Sequence, residues 1–177
     1  YDVDFMLGFY NYTKAELRKK FWFVLFWFPG SKKKGLESIV RCSEKGTFTR
    51  LVAKMSLIDI YNINSETEKS KKITDSLLVC YPKSRFILWS KVRYFEKEKK
   101  YKKCAETYEA LSNSYQKAKY GDYNMLNTRL KQIEFLKKSK QNSKITSIVE
   151  KFGTCKECLM NDRNKKICRD INRYSEK

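Results

Sequence analysis

Apolar residues recur along almost the whole chain at intervals of three and four, the spacing that gathers them on one side of an α-helix. The clearest case is 81–111, YPKSRFILWSKVRYFEKEKKYKKCAETYEAL. Leu88, Val92 and Phe95 form one stripe; Tyr101, Cys104, Tyr108 and Leu111 form a second. A Lys-rich corner at Lys99 and Lys100 separates them. Tyr81-Pro82 stops the preceding element, and Ser84 is placed to cap the next. The pattern predicts a helical hairpin with two inward faces, which cannot bury both alone and needs stacked neighbours.

The same reading extends in both directions. Residues 3–19 predict a helix with Phe5, Met6, Phe9, Tyr10 and Ala15 on its apolar side and Gly8 where a neighbour can approach closely. The run FWFVLFWF at 21–28 fits a buried strand or a helix by periodicity. Helix is preferred because its neighbours are helical and no partner strand is found elsewhere. Ser31 predicts the start of a helix to Lys45, closed by Gly46, with Leu36, Ile39, Val40 and Cys42 buried. Thr47 is the expected cap of a helix over 48–63, with Leu51, Met55, Leu57, Ile58 and Tyr61 inward. Ser65 and Glu68 form a capping-box signature for a helix to Cys80 that buries Ile73, Leu77 and Leu78.

Past the hairpin, Asp122 or Asn124 opens a helix through Lys138 with Leu126, Leu130, Ile133 and Leu136 inward. Asn142 or Ser143 starts a short helix carrying Ile145, Ile148 and Val149. Thr154 is the expected cap of a last, polar helix to about Tyr174, whose few inward residues are Cys158, Leu159, Ile167, Cys168 and Ile171. A weakly apolar final helix suits the end of a stack.

Size and composition keep this all-α picture and add charge. The 177 residues fit one domain, 1–177, with no dividing linker, and only 6 Gly and 2 Pro argue against a turn-rich β fold. The chain opens on Tyr rather than Met and so reads as a C-terminal piece of a longer one, whose start could carry a signal peptide. Net charge is +19, and residues 117–177 hold 16 basic against 7 acidic residues. This Lys-rich C-terminal third suits nucleic acid or an anionic surface; equally, lysines decorate solvated helix faces. Lys outnumbers Arg 30 to 9, whereas base readout favours Arg. Cys42, Cys80 and Cys104 sit in apolar helical patterns as small hydrophobes, and a chain with a real core needs no disulfide staples. A reducing, cytoplasmic setting is favoured; a secreted or periplasmic one follows if a signal peptide precedes Tyr1.

At Leu88, Val92, Phe95, Tyr101, Cys104, Tyr108 and Leu111 the spacing resembles that of the tetratricopeptide-repeat family. Cys104 stands where the family has a small Ala, and Lys91-Val92 replaces its Leu-Gly. Leu7-Gly8, with Phe9, Tyr10 and Tyr12, looks like an earlier, worn repeat. The order from Tyr1 to Leu111 resembles a divergent bacterial branch, a layout that a eukaryotic branch shares. An aromatic helix ends at Phe28-Pro29-Gly30, a Gly35-Leu36 helix follows, then Ala53-Lys54, Leu57 and Ile60-Tyr61, then Tyr-Pro and Trp89. The resemblance covers about two thirds of the chain. It implies an α-solenoid of stacked antiparallel helix pairs in a right-handed superhelix, binding a protein or peptide.

Little in the sequence suggests catalysis. There is no His, which removes the commonest general base and most zinc sites. Neither GxxxxGK[ST] nor GxGxxG occurs. Ser31-Lys32-Lys33-Lys34 is either an anion site at a helix start or a solvated corner. Cys155-Lys-Glu-Cys158 is a redox pair, part of a metal site completed by Cys168, or packing on one helix face. Glu96, Glu98, Glu106 and Glu109 lie among lysines as surface ion pairs.

The expectation is a non-enzymatic scaffold with no cofactor and no membrane span. Its partner-binding residues are Phe86, Trp89, Arg93 and Lys97 beside Glu96, with Asn127 and Lys131 in similar places on the next pair. Trp89 and Arg93 are residue types common in binding hot spots. For Trp89, packing against the following helix is the alternative.

Overall fold

The computed structural model describes residues 1–25, 27, 30–116, 122–152 and 162–174. Among the described residues there are ten helices and no strand. They are α1 (Asp2–Lys20), α2 (Trp22–Leu25), α3 (Lys32–Lys45), α4 (Arg50–Ile63), α5 (Thr67–Cys80), α6 (Arg85–Lys97), α7 (Tyr101–Gln116), α8 (Asp122–Lys138), α9 (Asn142–Phe152) and α10 (Asp162–Asn172). The all-α reading therefore stands. Of the aromatic run at 21–28, helix is described only over α2, and Trp27 lies in a turn. The chain divides into two compact units, Tyr1–Ile73 and Thr74–Lys177, and the division falls within α5.

In the first unit α1 packs on α3, and α3 on α4. The first contact depends on two glycines. A Cβ on Gly35 would lie 2.6 Å from the Tyr12 backbone nitrogen and 2.7 Å from the Gly8 carbonyl oxygen. One on Gly8 would lie 2.8 Å from Ser38 Cβ and 2.9 Å from the Gly35 carbonyl oxygen. The two backbones thus touch where side chains would hold them apart. Phe5, Tyr12, Ile39, Cys42, Ala53, Leu57, Ile60 and Tyr61 fill the core around this crossing, with Leu36, Val40 and Ile73 packed against it. The predicted apolar side of α1 needs correction. Phe5 is inward, but Met6, Phe9 and Tyr10 are exposed, because Gly8 and Tyr12 set the face that α3 covers. In α4 Leu51 is exposed and Met55 half-buried, while Ala53 and Ile60 take up core positions.

The residues that lead into α4 are held by the start of α1. The Asp2 carboxylate accepts the backbone N–H groups of Thr47 (3.3 Å), Phe48 (3.1 Å) and Thr49 (2.8 Å) and the Thr49 hydroxyl (2.7 Å). Thr47 is therefore not the cap; the N-cap position is Thr49, whose own side chain donates to Asp2. Four donors hold the carboxylate ionised. The Thr49 N–H contributes most, then its hydroxyl; burial opposes them, the N–H groups of Thr47 and Phe48 add the least, and the acid falls from 3.8 to about 2. Ser31 does cap α3 as expected, its hydroxyl accepting from the Lys34 N–H at 3.2 Å.

In the second unit consecutive helices pack in sequence, α6 with α7, α7 with α8 and α8 with α9, while α10 lies against α8 and α9. One apolar cluster runs through all five, from Leu88, Val92 and Phe95 through Tyr108, Leu111, Leu126, Ile133 and Leu136 to Ile148, Val149, Ile167 and Ile171. Nearly every inward position predicted for 84–149 is found there. Each fully buried aliphatic side chain contributes roughly 1.5–3 kcal/mol to this cluster.

The corners share one geometry. Three residues separate α4 from α5, α6 from α7 and α8 from α9. Their central residues, Ser65 (φ 62°), Lys99 (φ 55°) and Lys140 (φ 58°), are all left-handed. The next N–H reaches back to the helix each time: Glu66 to Tyr61 (2.8 Å), Lys100 to Phe95 (2.9 Å) and Gln141 to Leu136 (2.9 Å). The left-handed residue's own N–H bonds Asn62, Glu96 or Lys137. This is the Schellman ending of a helix. Ser65 accordingly ends α4 rather than capping α5. A polar residue with φ near 60° costs about 1–2 kcal/mol relative to glycine, so the same unfavourable corner is held three times over.

Two outcomes follow. Gly35→Ala should destabilise the first unit by about 1–2 kcal/mol in denaturant unfolding, because separating two touching backbones outweighs the roughly 1 kcal/mol that alanine gains in helix propensity. A neutral or stabilising effect would contradict the close crossing. A lowered carboxyl contributes stability that is present above its unfolded value and lost as pH falls toward its folded value. Helicity of the first unit should thus weaken as pH drops from about 4 to about 2. Asp2→Ala should lack that component; identical acid profiles for the two proteins would rule out the Asp2 clasp.

Candidate partner-binding surface

Ser84 occupies the N-cap position of α6 without a side-chain hydrogen bond. α6 carries Leu88, Val92, Tyr94 and Phe95 into the second unit's core. The expected partner residues lie away from that stripe. Phe86 and Trp89 are half-buried, and Arg93 and Lys97 are exposed. Trp89 packs on the following helix: its indole N–H donates to the Tyr115 hydroxyl at 3.1 Å, and its ring meets Tyr108 edge-on at 5.8 Å. Arg85, one turn earlier, lies 4.5 Å over the Tyr115 ring and donates to the Ser114 carbonyl at 2.8 Å. The α6 edge is therefore anchored on the end of α7. On α8, Asn127 and Lys131 are half-buried, and the Lys131 ammonium is 2.8 Å from Glu134.

Behind this edge runs an aromatic series. Trp89 meets Tyr108, Tyr108 stacks on Phe135 at 5.6 Å, and Phe135 lies 6.1 Å from Tyr101, with the Lys138 ammonium 4.7 Å over Phe135. Such pairs add about 0.5–1.5 kcal/mol each beyond area burial. The Tyr108 hydroxyl donates to Glu96 at 2.9 Å, and the Tyr94 hydroxyl to Asp75 at 2.8 Å. Burial first, then those carboxylates, raise both tyrosines above their ordinary value and keep them protonated. Burial, followed by the charge of Glu96, pushes the Cys104 thiol up to about 11, the opposite of a reactive cysteine.

The structure adds a residue that the sequence reading passed over. Arg129 on α8 is almost fully buried. It donates to Gln132 Oε1 at 2.7 Å and to Asn113 Oδ1 at 2.5 Å, and lies 5.0 Å over the Phe152 ring. Its Nε is buried without a hydrogen-bond partner among the described residues. Desolvation lowers its pKa, opposed by the charge of Glu109. Neutral amides and an aromatic face thus hold a cation that water would solvate better. The available signal was an arginine set within the run Leu126, Leu130, Ile133.

Two open clefts adjoin each other at Lys137 and Tyr174. One of about 340 Å³ is lined by Lys137, Ile145, Val149, Glu150 and Tyr174, and another of about 310 Å³ by Leu130, Glu134, Asp170 and Arg173. The other sequence candidates are less placed for chemistry. Cys155 and Cys158, with the Thr154 cap, lie outside the described residues. Cys168, the third weak metal candidate, is buried in the apolar cluster. Cys42 and Cys104 are buried as expected, but Cys80, the last residue of α5, is exposed. No three His, Cys, Asp or Glu side chains group to hold a metal among the described residues. No helix there is long and apolar enough to cross a membrane. Compared with protein-family models, curated proteins and solved structures, the chain shows no significant match.

The Arg129 site gives an ordered pair of outcomes. Gln132→Leu leaves the guanidinium buried with one fewer acceptor and should cost on the order of 1–3 kcal/mol in unfolding free energy. Arg129→Met removes the charge itself and should cost less, or stabilise. The reverse order would mean that the cation is net stabilising.

Proposed function

We propose that this chain is a non-enzymatic scaffold of the tetratricopeptide-like kind, an α-solenoid whose stacked helix pairs hold a protein or peptide partner. The observation that carries the reading is the thrice-repeated corner. Ser65 and Lys99 are 34 residues apart (65 to 99), the length of one tetratricopeptide repeat, and the same Schellman turn recurs after a longer interval of 41 (99 to 140) at Lys140. A pair of helices closed by a fixed turn is the unit from which such arrays are built, and arrays of this kind bind partners along a curved face. Packing of each helix on the next from α6 to α9 is consistent with it.

On this reading the partner meets the side of α6 and α8 that faces away from the apolar cluster. Arg93 and Lys97 supply charge, while Phe86 and the outer edge of Trp89 supply apolar contact. Asn127 and Lys131 extend the surface. Trp89 has a structural task as well, so charge substitutions test the surface more cleanly. With the chain immobilised and its partner purified from an extract of the source organism, Arg93→Ala, Lys97→Ala and Lys131→Ala combined should weaken binding about tenfold or more, with helicity unchanged. Unaltered affinity would remove the surface from consideration.

The net charge of +19 favours one alternative, binding of nucleic acid through the Lys-rich C-terminal third. Affinity for duplex DNA or RNA would then fall steeply with salt as counterions are released. No binding at low salt would dismiss it.

A further inference from the structure

The first unit carries an apolar surface that its own core does not use. Along α1, Val3, Met6, Leu7, Tyr10 and Leu17 are exposed on the side opposite Phe5, Gly8 and Tyr12. Their spacing of three, one, three and seven is that of a helical stripe. At its end stand Phe21, Trp22 (71% exposed), Phe23 (64%), Val24 (49%) and Trp27 (62%). Burying two tryptophans inside the protein would be ordinary; leaving both in water is costly.

The charges at the aromatic end of this surface are predominantly positive. Lys14 lies within the stripe, its ammonium 5.2 Å over the Tyr10 ring, and Lys20 lies 5.6 Å over Phe21. Lys19 and Lys20 precede the aromatic run in sequence, and exposed Lys33 and Lys34 follow it. Of the acids of α1, Asp2 is committed to the residues leading into α4 and Glu16 to Lys32 at 2.5 Å, while Asp4, at the start of the helix, lies at the flank of the stripe nearest Leu7 and far from the aromatic end. An open cleft of about 480 Å³, lined by Thr13, Glu16, Leu17, Lys19 and Lys20, adjoins the same end.

Apolar residues on one side, tryptophan and phenylalanine at the end, and lysines at the margin are the composition of a helix that lies in a membrane interface. The run is far shorter than the ~20 residues a span requires. We infer that the exposed stripe of α1, with Phe21, Trp22, Phe23, Val24 and Trp27, docks this protein on an anionic phospholipid surface. The apolar side chains enter the headgroup–acyl boundary, and the lysines meet lipid phosphates and carboxylates. This site is separate from the α6–α8 surface proposed above.

Two of the three tryptophans are Trp22 and Trp27, so intrinsic fluorescence reports on the site directly. The full chain should co-sediment with phosphatidylcholine vesicles containing phosphatidylserine, with a blue-shifted emission, and roughly tenfold less with phosphatidylcholine alone. Trp22→Ser, Phe23→Ser and Trp27→Ser together should reduce partitioning by about tenfold or more. These positions are exposed, and unchanged helicity confirms that the fold is kept. Lys19→Glu with Lys20→Glu should abolish the preference for phosphatidylserine while sparing the fold. The inference is overturned by absence of sedimentation at low salt. It is equally overturned if the serine variant sediments like wild type, which would place binding on the C-terminal lysines. Self-association that shields Trp22 and Trp27 and is lost in the serine variant would assign the surface to a second copy instead.

Discussion

A helix with one greasy flank has to be covered by another helix, and here the covering helix is usually the next one in the chain. That requirement fixes the corners. To bring α7 back along α6 within three residues, the backbone must pass through a left-handed residue, and the chain uses Lys99 for this where glycine would fit without strain. Lys140 does the same between α8 and α9, and Ser65 closes α4 with the same turn. The unfavourable φ is tolerated because each turn satisfies carbonyls at the end of a helix and sets the approach of the next. The apolar cluster from Leu88 to Ile171 depends on those returns being made.

Much of this was legible in the spacing of apolar residues. The helix boundaries around Lys45 and Cys80 follow from Gly46 and from Tyr81-Pro82, which are local signals. Leu88, Val92, Tyr108, Leu111, Ile133 and Ile148 were recognisable as core because each lies on a clean stripe. Errors arose where tertiary contact overrode periodicity. On α1 the sequence offers two apolar sides, and composition favours the one with Met6, Phe9 and Tyr10. The side with Gly8 prevails because α3 presents Gly35 there, and no local pattern encodes that meeting. Ser65 was misassigned for a related reason. Ser-x-x-Glu suits the start of a helix, but the same serine also ends the helix before it.

The candidate surface was legible only in part. Trp89 was recognisable as unusual, yet whether it faces a partner or a neighbour depends on Tyr115, which is 26 residues further on. Arg129 carried almost no signal, since a single arginine in an apolar helix ordinarily reaches solvent along its aliphatic stem. It is buried instead because Phe152, Asn113 and Gln132 converge on it from three helices. Long-range convergence of this kind is invisible to any reading confined to one segment.

The Asp2 clasp joins the start of α1 to the chain 45 to 47 residues later. Since α1 also lies against α3, the segment between is closed into a loop. The first helix cannot peel away without stripping Thr47, Phe48 and Thr49, the residues that lead into α4, of their hydrogen bonds. Loosening of α1 is thereby tied to loosening of the entry to an interior helix. Amide exchange at Thr47, Phe48 and Thr49 should accordingly keep step with exchange along α1.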